Sequence, residues 1–474
     1  MISLFLPEIL LSVLATLLLC FTLARNPKSG PFLSNFMLGG SLLVLGGCIL
    51  GLYHSGSLFL GSYRVDLFSQ GFKTITAIGL LVTVLLSKEW NVLPKNRILE
   101  YYLFLVTGAL GMMMMASAVD VLSLFVAIEL SAYSLYLLEA LKPGRRNAES
   151  AVKYLIFGAT TSGVSLWGLS LLVGLSGTTS IYTIVARAPA LVSQPAFVLG
   201  TVLFSLSLIF KLSGFPMHFW APDVYESAAT PATSFIATAS KAAAVTVLIR
   251  IFLFSGMPPA FSAVLCVLAF VSMTLGNTVA LVQTDVKRLL AYSSIAQAGY
   301  ILLGLLAGTP ASYSTAFFYA FAYVVMNSGA FLVVTLVAKA AHHDNPQISN
   351  FDGLAERSPF LALLLLLSLL SLAGIPPLLG FTGKWVLFTA AMEKGHWFLV
   401  LWAVLNSVVS LFYYLTLVKH AYLKKSKDSS PLPVSLGLRL TGFCLMAALV
   451  GIGVFPAFFI TLTEQAVSSG LLLR

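Results

Sequence analysis

Charge is scarce in this 474-residue chain. Asp, Glu, Lys and Arg make up 9% of it, where a soluble domain carries about 25%. With 58% hydrophobic residues and a mean hydropathy of +0.95, a soluble enzyme and a disordered protein are both excluded. Cysteine is sparse too. Cys20, Cys48, Cys266 and Cys444 each stand alone in an apolar run, so no C-x-x-C pair offers ligands for zinc or an iron–sulfur cluster. Of the six histidines only His218 falls at membrane depth, which leaves no pair to hold a haem. No cofactor and no metal are expected in this chain itself. Acidic residues are the minority, 17 against 27 basic ones, for a net charge of +10. The basic excess sits in short loops without interleaved aromatics, so it sets orientation in a membrane rather than binding nucleic acid. The start, MISLFLPEILLSVLATLLLCFTLA, lacks a basic n-region and a small-residue cleavage site; it reads as a retained first helix.

What the chain has in abundance is apolar runs. A helix crosses a bilayer with roughly 20 residues, and fourteen runs of that kind can be marked out. They lie near 4–24, 32–53, 68–87, 101–119, 121–141, 152–175 and 195–219, then near 228–254, 260–283, 289–308, 314–339, 359–392, 397–418 and 438–462. The expected fold class is an all-α polytopic membrane protein with about 14 transmembrane helices. Alternate loops on one side hold about 17 basic residues, among them Arg25, Lys28, Lys95, Arg97, Lys142, Arg145, Arg146, Lys287 and Lys424–Lys427. The other side holds only Arg64, Arg187, Arg250, Lys394 and Arg474. The positive-inside rule makes the richer side cytoplasmic and puts both termini outside.

Five lysines fall inside apolar runs: Lys73, Lys153, Lys211, Lys241 and Lys384. A charged group at mid-helix costs about 2.5–3.5 kcal/mol on insertion scales. Lys241, Lys211, Lys384 and the carboxylate of Glu129 are therefore expected to be functional. Lys73 lies a few residues into its run and is expected to reach outward along its stem. Glu139 should pair at the interface with Lys142 or Arg145. Lys153 and His218 are open to either a structural or a functional reading.

Two runs also contain a break. Ser213-Gly214-Phe215-Pro216 interrupts one, and Ala373-Gly374-Ile375-Pro376-Pro377 interrupts another five runs later. Proline removes a backbone donor, and discontinuous helices in corresponding positions of two repeats often frame ion sites in transporters. Burial favours a neutral amine and a nearby carboxylate favours the ammonium. A lysine opposite a movable glutamate thus holds its proton when the pair is closed and releases it when the pair opens.

The same residues carry a family resemblance. FKLSGFPMHFWAPDVYE at 210–226, DVKRLLAYSSIAQAGY at 285–300 and GIPPLLGFTGKW at 374–385 resemble the signatures of the antiporter-like membrane subunits of respiratory complex I. The likeness covers nearly the whole chain. The wording at 220–226, the lysine at 384 and the end of the chain after the fourteenth run are similar to the N-type branch, the mitochondrial chain 2 type. The resemblance implies three N-terminal helices within 1–100, two inverted five-helix repeats over 101–255 and 256–425, each with a broken helix, and a last helix within 426–474. It implies that Glu129 and Lys211 form a switch pair, Lys241 a central relay and Lys384 the outer connection. Lys153 would stand on the uptake side; His218, read from its position alone, either relays protons or caps the broken helix. Gln297 stands where many relatives carry a histidine, which puts a relay role there in doubt. The implied partners are further membrane subunits and a peripheral redox arm holding NADH, FMN, iron–sulfur clusters and quinone, in the inner membrane of a bacterium. Two alternatives remain from the residues alone: a subunit of a free-standing cation/proton antiporter, or a membrane scaffold of a hydrogenase or ferredoxin-linked complex.

Overall fold

The computed structural model of the protein describes residues 2–24, 30–89, 92–255, 259–426 and 430–471. Arg25, Lys28, Lys427 and Arg474, counted above among the loop charges, lie outside the described residues. Helices α1 (Leu6–Leu23) and α2 (Gly30–Gly51) are followed by a short antiparallel hairpin, β1 (Gly56–Leu58) and β2 (Tyr63–Val65). Next come α3 (Leu67–Glu89), α4 (Ile98–Ser117), α5 (Val121–Ala140), α6 (Arg145–Ser176), α7 (Ile181–Leu191), α8 (Pro195–Leu212), α9 (Trp220–Ser227), α10 (Thr230–Ala237) and α11 (Ala239–Ser255). The chain continues with α12 (Pro259–Ala280), α13 (Val286–Leu306), α14 (Pro310–Ala340), α15 (Leu354–Arg357), α16 (Pro359–Ala373), α17 (Leu379–Glu393), α18 (Trp397–Leu423), α19 (Leu436–Val454) and α20 (Ala457–Leu471).

Thirteen helices among the described residues are long and apolar enough to cross a membrane. The pair α16/α17 supplies one more pass, because each half is too short alone. The helices are apolar on nearly all sides, as expected where the surroundings are either other helices or lipid. The α10–α11 segment, α13 and α14 are buried over most of their length and form the centre, whereas α1, α2 and α6 keep most of their surface outside.

One end of the bundle gathers Lys142, Arg146, Lys287, Arg288 and Lys339, which pair there with Asp344, Glu226, Asp223 and Glu89. The other end carries the hairpin and a clamp in which Arg250 grips Asp66 with two nitrogens at 3.0 Å each. Arg250 belongs to α11 and is buried, so it is a packing cation and not the loop charge expected from the sequence. Lys287, likewise assigned to a loop, has no exposed surface.

Three passes are broken. α8 ends on Ser213 in the left-handed conformation (φ 54°), and α16 ends on Gly374 (φ 89°). The third break was not expected. The run marked at 438–462 is two helices, α19 and α20, separated at Phe455-Pro456. Pro456 cannot donate to the preceding turn, and the carbonyl of Gly453 just before it accepts from Thr382 Oγ1 of α17 at 3.0 Å. α20 then reaches the hairpin end, where Arg64 Nη2 donates to the Ser469 carbonyl at 3.0 Å. The hairpin itself has no signal in the apolar runs.

Helix starts and close approaches follow a spacing. Asp120 caps α5, accepting from the amides of Leu122 and Ser123, and Asp285 caps α13, accepting from that of Arg288. A Cβ on Gly111 of α4 would stand 2.5 Å from Ser131 N and 2.9 Å from Ala127 O. A Cβ on Gly276 of α12 would stand 2.5 Å from Ala296 N and 2.7 Å from Tyr292 O. The same offset of 165 residues takes Gly111 to Gly276, Asp120 to Asp285, Ala127 to Tyr292 and Ser131 to Ala296. Because the clashing atoms are backbone, helix α12 must move if Gly276 is enlarged. Gly276→Ala is expected to destabilise the protein by about 2 kcal/mol or more, while Gly46→Ala, which meets nothing within 4 Å, should be neutral; thermal unfolding of the two purified variants checks this.

Candidate functional site: lysines at the helix breaks

Each break exposes backbone groups that a continuous helix would satisfy. At the first, the Trp220 indole donates to the Phe210 carbonyl at 3.0 Å and the Gly214 amide to that of Ile209. Lys211 lies in the last turn of α8, buried, and its Nζ donates to Ser131 Oγ of α5 at 3.2 Å. Lys241, three residues into α11, donates to Ser213 Oγ at 2.5 Å and to Ser294 Oγ of α13 at 2.6 Å. The ring of Tyr225 stands 5.7 Å from its ammonium.

At the second break, Lys384 of α17 turns back on the end of α16. Its Nζ donates to the carbonyls of Leu372 at 3.0 Å and Ala373 at 3.1 Å, and to Ser407 Oγ of α18 at 2.7 Å. Tyr300 of α13 places its ring 4.5 Å away. The half-helix C-terminus, with its negative dipole end, suits a cation here.

Helix α13 joins the two breaks. Ser294 touches Lys241, and Gln297, one turn on, donates to the same Leu372 carbonyl that Lys384 uses, at 3.2 Å. Tyr319 in turn donates to Gln297 Oε1. Three residues of helix rise about 4.5 Å, so the two breaks lie at nearly one depth. A row of donors and acceptors thus runs across the bundle, buried from Lys211 and Ser213 through Lys241 and Ser294 to Gln297 and Lys384 and ending at the half-buried Ser407. Chemically it can hold and pass protons. No group of three or more His, Cys, Asp or Glu among the described residues could hold a metal.

Residues 118–410 match the NADH:quinone oxidoreductase/Mrp antiporter transmembrane family. The chain belongs to that family. It is 44% identical over 467 residues to NADH-quinone oxidoreductase subunit N 2 of Syntrophobacter fumaroxidans, covering 98% of both chains. Identity to NADH-quinone oxidoreductase subunit N of Heliobacterium modesticaldum is also 44%, over 83% of each. Among solved structures, a chain of respiratory complex I from Thermus thermophilus superposes with a TM-score of 0.84 at 32% identity, over 97% of this chain and 99% of that one. A chain of the membrane-bound sulfane sulfur reductase, an archaeal respiratory complex, shares the fold with a TM-score of 0.87 at 24% identity.

The other charged residues singled out in the sequence lie apart from this row. Glu129 and Lys211 have separate partners. The Glu129 carboxylate accepts from Ser162 Oγ at 2.6 Å, is half-buried, and lines a groove with Ala15, Leu19, Phe104 and Tyr133. Lys153 is at the basic end, 2.8 Å from Glu149 and 3.2 Å from Asp223, away from the lysine row. His218 is buried beside the first break, its ring 4.3 Å from that of Phe219; its Nδ1 has no protein partner among the described residues.

Two expectations are corrected. Lys73 does not reach outward: it is fully buried and pairs with Glu8 at 2.8 Å. The sequence hid this because the carboxylate lies in another helix, 65 residues earlier. Glu139 makes no ion pair at the interface; it is buried and accepts from Ser227 Oγ at 2.5 Å. Lys142 goes instead to Asp344 at 2.5 Å. Sequence reasoning also missed the hydroxyls that receive the lysines. Ser294 and Tyr300 could have been found from the three-residue spacing they share with Gln297 on one face of α13, whereas Ser131 and Ser407 carry no such signal.

Asp344 lies between spans at the basic end. Burial pushes its carboxyl up, but the ammonium groups of Lys287 and Lys142 outweigh that and hold it below the ordinary value. A depressed carboxyl stabilises the fold above about pH 4, its unfolded range, and that contribution is lost as pH falls through the folded value. Asp344→Asn leaves Lys287 buried without its countercharge. It is expected to cost about 3–5 kcal/mol at pH 7 and to flatten the acid limb of stability, read by thermal melts from pH 7 down to pH 3.

Proposed function

We propose that this protein is the N-type membrane subunit of a proton-translocating NADH–quinone oxidoreductase and that it moves protons through the lysine row. The observation that carries the reading is that one turn of α13 joins the two breaks: Lys241 bridges Ser213 at the first break to Ser294, and Gln297 shares with Lys384 the Leu372 carbonyl at the second. Electron transfer belongs to partner subunits that hold NADH, FMN, iron–sulfur clusters and quinone. The membrane is the inner membrane of a bacterium, the basic end faces the cytoplasm and both termini face outward, in line with the loop charges.

Residues 101–255 and 256–425 are the two inverted repeats, with three helices before them and the α19/α20 pass after. Supporting this division, Asp120 and Asp285 cap corresponding helices from opposite ends of the bundle, and the two glycine contacts recur at the 165-residue offset. The helices that precede the broken ones, α6 and α14, are also alike in length at 32 and 31 residues. The offset carries Glu129 onto Ser294, so the first repeat offers a carboxylate where the second offers a hydroxyl.

In this mechanism Lys211 gains or loses its proton as the Glu129 carboxylate approaches or withdraws. Lys241 is the relay, and Lys384, its ammonium held by the two carbonyls, releases its proton by way of the Ser407 hydroxyl at the second break. His218 is an accessory group at the first break, and Lys153 serves uptake at the basic end. Lys241→Met preserves the volume of the side chain and removes the proton. In the complex purified through this subunit in mild detergent and reconstituted in vesicles, it is expected to cut NADH-driven proton translocation at least tenfold. Wild-type translocation in Lys241→Met would refute the relay, and a wild-type chain that purifies without NADH–quinone activity would refute the assignment.

A further inference from the structure

The lysine row leaves a second buried charge cluster unused. Glu8 of α1 and Lys73 of α3 pair at 2.8 Å with no surface exposed. Tyr63 of β2 donates its hydroxyl to Glu8 Oε1 at 2.6 Å, and the Lys73 ammonium stands 5.2 Å from the Tyr63 ring. Around this pair the buried polar atoms are under-supplied. Glu8 Oε2, both amide atoms of Gln70 and Ser117 Oγ have no protein hydrogen-bond partner among the described residues. Gln70 precedes Lys73 by one turn on the same side of α3, and its amide faces Gly51 of α2, 3.1 Å from where a Cβ would stand. Ser117 ends α4. Cys48 of α2 lies within electrostatic reach of both Glu8 and Lys73. On the remaining side, Arg250 of α11, paired with Asp66, acts on Tyr63. Four helices and the hairpin therefore converge on one polar chamber beneath the hairpin end.

A scaffold has no use for such a chamber. Replacing a buried ion pair by hydrocarbon is often neutral or stabilising, and native proteins leave few buried polar atoms unpaired. A buried water needs two to four polar partners, and Glu8 Oε2, the Gln70 amide and Ser117 Oγ offer them. We propose that Glu8, with Lys73 as countercharge and Gln70, Tyr63 and Ser117 around it, forms a hydrated proton-binding site whose two charged residues lie outside both antiporter-like repeats. This rests on the proton-translocating function proposed above. In the binding step a hydronium ion delivers its proton to Glu8 Oε2: one O–H bond of the hydronium breaks, one forms on the carboxylate, and neutral water remains. Lys73 is then an uncompensated cation that repels a second proton, so the site takes one at a time. Tyr63 keeps its hydrogen bond to Oε1 in both states.

Redox-induced infrared difference spectra of the purified complex test this. The expected result is a carboxylic-acid carbonyl band that shifts in D2O, is lost in Glu8→Gln and is displaced in frequency in Glu8→Asp. Glu8→Gln should also lower the protons moved per electron pair in vesicles. If Glu8→Gln disrupts assembly, Glu8→Asp alone decides, because it keeps a titrating carboxyl at a shifted position. Wild-type spectra unchanged in either variant would overturn the site while leaving the pump intact. A wild-type complex that oxidises NADH without moving protons would instead overturn the proposed function.

Discussion

A helix interrupted inside hydrocarbon leaves carbonyl oxygens with no water to satisfy them, and most of what is particular to this protein follows from how it answers that constraint. At the α16/α17 break the answer is an ammonium group, with Lys384 taking two of the freed carbonyls. At the α8/α9 break it is an indole on Phe210 O and a hydroxyl, Ser213, that receives Lys241. At the third break a threonine of α17 meets the Gly453 carbonyl. At the second break a cation is thus part of the backbone's own hydrogen bonding. Removing Lys384 leaves carbonyls as well as a gap in the row, which ties the architecture and the proposed proton chemistry to the same atoms.

The packing around the breaks has a related logic. α13 carries little besides small and polar side chains on the side facing the lysines, and Gly276 lets α12 come close enough to seal its far side. The ionic clusters are kept to the two ends, where they fasten the passes together. Asp344 binds the α5–α6 and α13 ends, and Asp66 binds the hairpin to α11. A buried carboxylate held by two cations pays for its desolvation through geometry, not proximity alone.

The number of passes, the two breaks with glycine and proline, and the buried positions of Lys211, Lys241 and Lys384 were legible in the sequence because each is a local pattern: a run, a break, or a charge within a run. The partners were not. Lys73 meets Glu8 across 65 positions and Lys142 meets Asp344 across about 200, and no periodicity encodes such a meeting. The α19/α20 break was missed although Gly453 precedes Pro456 by three residues, much as Gly214 precedes Pro216 by two. The Asp120 and Asp285 caps and the 165-residue offset are written in the sequence, yet they become visible only once Gly111 and Gly276 are seen lying against backbone.

The near-equal depth of the two breaks has an electrical consequence. A membrane potential does work of about 2.3 kcal/mol per elementary charge per 100 mV across the full thickness. On the path proposed above, a proton that reaches Lys241 from either face has crossed only part of that drop, and its passage across α13 to Lys384 runs nearly parallel to the membrane plane. The field therefore loads the two vertical legs of the path and leaves the lateral leg almost free of voltage. The potential can set how hard it is to fill or empty the row, while the exchange between its lysines is governed by local hydrogen bonding alone.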